Sequence, residues 1–177
     1  MCNFLPKDPY KLYSPQMTTH EYNTCVKQYS NGIFRFIVKN LRDEFEAENI
    51  VQNTFEKLWV RIDQVEMKTA KAYLFKIAYN NMIDVIRKNK YHTDLTSAVH
   101  VASDNYEYNN LLEYVSLAVN ELPAKQKSVL TLRDYEGHDY KSIGDITGMS
   151  ESQVKINIFR ARKYIKAYIN KLELMTL

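Results

Sequence analysis

The stretch DYKSIGDITGMSESQVKINIFRARKYI, Asp139 to Ile165, decides how this chain is read. Gly148 interrupts it, at a point where a left-handed backbone costs glycine nothing. Two residues on, Ser150 is followed at the third position by Gln153. That spacing is a capping box and predicts a helix that starts at Glu151. Before the turn, Ile143 and Ile146 form the buried side of a short first helix. After it, Val154, Ile158, Ala161 and Ile165 fall on one stripe at about 100° per residue, with Ser152, Lys155, Ile156, Phe159, Lys163 and Lys166 opposite. Between Ser150 and Lys171 stand six cations (Lys155, Arg160, Arg162, Lys163, Lys166, Lys171) against the single acid Glu151, a net charge of +5. A capped basic helix behind a glycine turn is the pattern of a helix-turn-helix reader. Its N-terminal residues meet base edges in the major groove, and its lysines and arginines meet phosphates. Ile156 and Phe159 are out of place on a purely solvated face, but could touch thymine methyls.

Composition sets the limits around this motif. The chain has 177 residues, 45% of them apolar, with only four glycines and four prolines, which favours helices. Its net charge of +3 is mild, so affinity for nucleic acid must come from where the charge lies. Cys2 and Cys25 cannot form a disulfide framework and suit a reducing cytoplasm. No apolar stretch approaches the roughly 18 residues of a membrane span. The leader MCNFLPKDPYKLYSP has no apolar core segment, so it is not read as a secretory signal. The four histidines, His20, His92, His100 and His138, are scattered and make no metal site with the cysteines. No cofactor is expected, and no nucleophile–base pair or phosphate-cradling glycine loop suggests an enzyme.

Periodicity divides the rest. Residues 1–17 read as a leader, 18–88 as one helical domain, 89–108 as a linker and 109–177 as a second helical domain. The linker, Asn89 to Tyr108, carries Lys90 against Asp94, Asp104 and Glu107, a net −2, and holds no sustained helical pattern. In the first domain, HEYNTCVKQYSNGIFRFIVKNL spaces Tyr22, Val26, Tyr29, Ile33, Ile37 and Leu41 as one stripe. EAENIVQNTFEKLWVRI follows, with Asn49, Gln52, Asn53 and Glu56 on one polar face. By periodicity alone it is a core helix. The third helix, TAKAYLFKIAYNNMIDVIRKN, lines up Lys76, Asn80, Asp84 and Arg87, flanked by Tyr73 and Lys88. Such a stripe offers donors and acceptors to bases, and by periodicity alone it is equally an ordinary solvated face. In the second domain, PAKQKSVLTLRDYEG places Pro123 in a first turn and Gly137 at the stop.

In this order the motifs resemble the extracytoplasmic-function group of bacterial sigma factors, the two-domain members of the sigma-70 family. AENIVQNTFEKLW looks like the region 2 helix that docks on RNA polymerase. AYLFKIAYNNMIDVIRKNK is similar to the helix that reads the promoter −10 element. LPAKQKSVLTLRDYEGHDYKSIGDITGMSESQVKINIFRARKYI looks like region 4, which reads the −35 element. The resemblance covers about residues 18–173. It implies an all-α fold of two small helical domains joined by a flexible linker, and a non-enzyme that directs core RNA polymerase to promoters.

Carried over by position, Asn49, Gln52, Asn53 and Glu56 would meet polymerase. Tyr73, Lys76, Asn80, Asp84, Arg87 and Lys88 would lie along the −10 strand, and the loop Asp63–Thr69 would receive a flipped base. Glu151, Ser152, Gln153, Lys155, Ile156, Phe159, Arg160 and Lys163 would read the −35 duplex. The implied partners are core polymerase and promoter DNA, with an anti-sigma factor as one the family often has; the implied compartment is the cytoplasm. The chain departs from the family pattern in two places. Asn49 stands where aspartate is usual, and the usual VKSR is VKIN (Val154–Asn157), which implies a different −35 preference. A stand-alone helix-turn-helix regulator, usually dimeric and independent of polymerase, is the alternative. Limited proteolysis should cut first between Asn89 and Tyr108 and leave two protected fragments; one protected fragment spanning that interval would contradict the two-domain reading.

Overall fold

The structure is a computed structural model that describes residues 17–93 and 110–175. Every regular element among the described residues is a helix, with no strand among them. The first half holds α1 (Thr19–Leu41), α2 (Glu44–Val60), a short 3-10 turn (Ile62–Gln64) and α3 (Met67–Thr93). The second holds α4 (Asn110–Asn120), α5 (Ala124–Leu130) running into a π turn (Thr131–Tyr135), α6 (Tyr140–Thr147) and α7 (Glu151–Met175). The α3 helix continues to Thr93, so the first five residues of the expected linker are helical. Residues 94–108 of that linker lie outside the described residues, as does the expected leader except for Met17.

Short side chains set where these helices begin. Thr18 caps α1 in a capping box, accepting from the Glu21 amide at 3.2 Å while Glu21 accepts from the Thr18 amide at 2.7 Å. Asp43 caps α2 through the Glu46 amide at 2.9 Å, and Asp139 caps α6 through the Ser142 amide at 2.6 Å. Each satisfies an amide that the first turn leaves without a partner. Pro123 stands at the cap of α5 rather than inside its first turn. At the end of α6, Gly148 takes φ 73°, the left-handed geometry expected of it. The box at Ser150 forms as the spacing predicts, with Gln153 N to Ser150 Oγ at 3.3 Å and Ser150 N to Gln153 Oε1 at 2.9 Å.

In the first half Cys25, Ile33, Phe36 and Ile37 of α1 pack against Ile50, Phe55 and Leu58 of α2 and Leu74, Phe75, Ala78 and Met82 of α3. The periodic stripe of α1 is therefore centred nearer Cys25 and Phe36 than its sequence suggests. Tyr22, Val26, Tyr29 and Leu41 are only partly buried at its edge. In the second half α7 lies across α4, α5 and α6, burying Val154, Ile158 and Ala161 over Val129, Leu132, Ile143 and Ile146.

The two halves also pack on each other, α3 against α6 and α1 against α5. Phe75 meets the His138 ring edge-on at 4.6 Å, Ser128 Oγ donates to Asn40 Oδ1 at 2.9 Å, and Lys71 Nζ donates to the Glu136 carbonyl at 2.6 Å. Buried there, His138 has its pKa pushed down to about 4, chiefly by loss of water and further by Lys71, with Asp139 pulling the other way. The folded state thus disfavours the proton that an unfolded histidine accepts near pH 6.5. His138 costs nothing above about pH 6.5, and its penalty grows as the pH falls toward 4, reaching roughly 3 kcal/mol at about 1.4 kcal/mol per unit. Glu136, whose carboxyl burial raises, acts in the opposite sense. Between pH 7 and 5 the unfolding temperature of His138→Gln should fall by several degrees less than that of the wild type. Parallel profiles would remove His138 as the acid-sensitive group.

Candidate nucleic-acid and polymerase interfaces

The α7 helix is two-sided in the way its sequence predicts. Val154, Ile158 and Ala161 are buried behind it, while Glu151, Ser152, Gln153, Lys155, Arg160 and Lys163 stand in solvent. Ile156 is 49% and Phe159 68% exposed, a large apolar area for an isolated solvated face. Tyr140, Lys155, Phe159, Lys163 and Lys166 rim one shallow groove, so aromatic and apolar surface is interleaved with cations. Glu151 holds Lys155 at 2.7 Å, which partly neutralises the first turn.

Two polar residues of this helix serve the protein itself. Arg162 forks onto Asp134 with contacts of 2.5 and 3.2 Å, tying α7 to the π turn. Asn157 folds back, donating to the Gln153 carbonyl at 2.8 Å with Met149 Sδ at 4.0 Å. Of the two departures in VKIN, Ile156 therefore faces outward on the reading side and Asn157 is occupied locally.

On α3 the stripe Lys76, Asn80, Asp84, Arg87 and Lys88 is exposed along its length, and Leu74, Phe75, Ala78 and Met82 are buried behind it. Arg87 and Asp84 lie 3.5 Å apart with both side chains in water, a contact worth little and easily exchanged for a ligand. Tyr73 is half-buried in a groove of about 510 Å3 between α2 and α3, lined also by Asn53, Glu56, Lys57, Arg61 and Ile77. The Arg61 guanidinium reaches the Tyr73 hydroxyl at 3.5 Å, and Lys57 donates to Asn81 at 2.8 Å. The loop Asp63–Thr69 is mostly ordered into the 3-10 turn and the start of α3, with Val65 buried.

The polar face of α2 divides between two grooves. Asn53 and Glu56 open toward α3 and Tyr73. Gln52 lines the other groove with Ser30, Asn31, Phe34, Glu48 and Val51. Asn49 is half-buried, and its carbonyl accepts from Asn53 at 2.9 Å. The large apolar residues of this helix include a buried set, Ile50, Phe55 and Leu58, and an exposed set, Phe45, Trp59 and Val60. The exposed three were not anticipated. Phe45 stands two residues after the Asp43 cap, off the buried stripe, and Trp59 is only partly covered by Tyr22, whose ring lies 4.9 Å away edge-on. A large apolar residue in the first turn, off the buried stripe, was the available signal.

Two stretches of the chain match known protein families. Residues 25–91 match the family described as "Sigma-70 region 2" and residues 112–165 that described as "Sigma-70, region 4". The ECF RNA polymerase sigma factor SigM of Bacillus subtilis is 30% identical over 154 residues, covering 82% of this chain and 93% of its own. The RNA polymerase sigma factor SigV of the same organism is 27% identical over 157 residues, covering 85% and 92%. Among solved structures, the sigma factor RpoE of Bartonella quintana, in complex with the anti-sigma factor NepR, superposes with a TM-score of 0.73 at 25% identity, covering 86% of this chain and 98% of that one. The chain belongs to the extracytoplasmic-function sigma factors of the sigma-70 family, which recognise promoters.

Proposed function

We propose that this sigma factor binds core RNA polymerase through α2, reads the −35 duplex with the N-terminal half of α7, and holds melted −10 bases along α3. The observation that carries the reading is the pair of exposed polar stripes. Each is backed by a buried apolar stripe, and they lie in the two halves that match region 2 and region 4. Polymerase supplies most of the affinity and all of the chemistry. On α7, Lys163 and Lys166 take phosphates while Ile156 and Phe159 press on thymine methyls. On α3, Asn80 pairs with an exposed base and Lys76, Arg87 and Lys88 follow the strand. Unstacking a base costs a few kcal/mol. Stacking on an aromatic ring returns about 1–3 kcal/mol per base. Tyr73, at the mouth of the α2–α3 groove, is the stacking ring.

Docking uses the exposed face of Gln52, Asn53 and Glu56, with Phe45, Trp59 and Val60 as apolar neighbours. Asn49 contributes a hydrogen bond where the family usually has a charge. The protein acts in the cytoplasm, where polymerase meets the chromosome. An anti-sigma factor is a further partner, of the kind bound in the complex of the Bartonella quintana relative.

The two reading helices should fail in different ways. Lys163→Ala should weaken binding of the polymerase holoenzyme to all promoters about equally and flatten the salt slope by about one unit. Asn80→Ala should cost about 1–3 kcal/mol in abortive transcription, on closed templates and on templates with a pre-opened −10 bubble alike, because its contact is to the exposed base. Tyr73→Ala should be rescued by pre-opening if the ring wedges the duplex. If Asn80→Ala is silent on both templates while Lys163→Ala is not, the −10 assignment is wrong.

For docking, the double variant Gln52→Ala with Glu56→Ala should weaken binding to core polymerase without changing helical circular dichroism. Unchanged affinity would move the docking surface off this face.

A further inference from the structure

Most polar side chains in the first two turns of α7 are already engaged within the protein. Gln153 commits its Oε1 to the Ser150 amide at 2.9 Å, as half of the capping box. Asn157 commits its Nδ2 to the Gln153 carbonyl at 2.8 Å. Glu151 holds Lys155 at 2.7 Å, and the Lys155 ammonium also lies 5.4 Å from the centre of the Tyr140 ring. A side-chain amide reads adenine with both of its ends at once, donating to N7 and accepting from N6. Neither Gln153 nor Asn157 has both ends free. Each would have to break a contact that starts or braces the helix before it made that fork.

What the outward face offers instead is hydrocarbon. At about 100° per residue, Ser152, Ile156, Phe159 and Lys163 fall within a sector of about 60°. Ile156 is 49% and Phe159 68% exposed, while Val154 and Ile158 behind them are buried. Ile156 and Phe159 are three residues apart, about 4.5 Å along the axis at about 1.5 Å each. Successive bases of a strand are about 3.4 Å apart. A helix seated in the major groove therefore sets the two side chains over neighbouring base pairs, with Lys163 beyond them for the backbone.

Thymine differs from cytosine in the major groove in two ways. It carries a 5-methyl group, and it presents the O4 acceptor where cytosine presents the N4 donor. A hydrocarbon side chain makes no hydrogen bond, so it senses the methyl and is blind to the exchange of O4 for N4. Ser152, one turn before Ile156, does not restore that distinction, because a hydroxyl both donates and accepts. 5-Methylcytosine carries the same methyl as thymine.

We propose that α7 reads its −35 element through a 5-methylpyrimidine site set by Ile156, which accepts thymine or 5-methylcytosine and rejects uracil or unmethylated cytosine. The proposal rests on the −35 role given to α7 above and turns that contact into a rule of choice. Methylating a cytosine at this position strengthens the promoter for this sigma factor, where the unmethylated base weakens it. Burying one methyl group corresponds to about fourfold in affinity.

The test uses core polymerase loaded with the full chain and a pool of synthetic promoters randomised across the −35 segment. The sequence recovered is resynthesised with thymine, uracil, cytosine or 5-methylcytosine at each pyrimidine, every base correctly paired, and binding of each duplex is measured. The wild type should prefer thymine to uracil about fourfold, at one position or at two adjacent ones. At the same place it should prefer 5-methylcytosine to cytosine by a similar factor, which separates the methyl from the rest of the base. Ile156→Ala should level both pairs at its position, and Ile156→Val should keep part of each preference. Equal binding of thymine and uracil throughout overturns the proposal, and so does an Ile156→Ala chain that keeps both preferences. Discrimination of thymine from uracil with none of 5-methylcytosine from cytosine overturns it as well, since the methyl is then not the signal. If the pool yields no shared −35 sequence, the −35 role of α7 fails and the proposal with it. A well-defined element that ignores the methyl fails the proposal alone.

Discussion

A helix that reads DNA must bury one side and leave the other bare, and everything else in this protein follows from meeting that constraint twice. On α7 the buried side is Val154, Ile158 and Ala161, which anchors the helix across α4, α5 and α6. On α3 it is Leu74, Ala78 and Met82, with Phe75 turned toward the second half. Fully burying the larger of these, Val154, Ile158, Leu74, Phe75 and Met82, yields about 1.5–3 kcal/mol each. The exposed stripes can then be polar or charged, because apolar packing on the far side carries the stability.

Around the reading helices, polar contacts position rather than stabilise. The Ser150–Gln153 box starts α7 at one defined residue, and Gly148 sets the angle at which it leaves α6. The Arg162–Asp134 fork stops α7 from rotating about its own axis, so the face that carries Ile156, Phe159 and Lys163 is set by contacts behind it. Arg162 is a cation on a basic helix, yet its geometry commits it to the protein. Net charge on a helix therefore overstates the charge available to DNA.

Much of this was legible in the sequence, and the reason is local. Caps, the glycine turn and the two-sided stripes are set by neighbours within four residues, so Ser150, Gly148 and the Val154–Ile158–Ala161 stripe come out as their spacing predicts. The packing between the halves was not legible. Lys71, Ser128 and His138 carry no local signal of it, because their partners Glu136, Asn40 and Phe75 are distant in sequence and only the tertiary fold brings them together. Asn157 is a similar case: its position in VKIN marks it as a candidate reader, but the side chain is spent on the Gln153 carbonyl. On α2, spacing shows a polar face but not that two grooves divide it, because the second wall of each groove comes from α1 or α3.

The central claim is that this chain gives core polymerase a promoter choice that neither has alone. The direct measurement is to transcribe bacterial genomic DNA with core polymerase, with and without the purified chain, and to sequence the RNA 5′ ends. The account predicts a discrete set of chain-dependent starts, each preceded by two shared sequence elements about two helical turns apart. Starts that do not depend on the chain, or nanomolar duplex binding by the chain alone with no effect on polymerase, would contradict it.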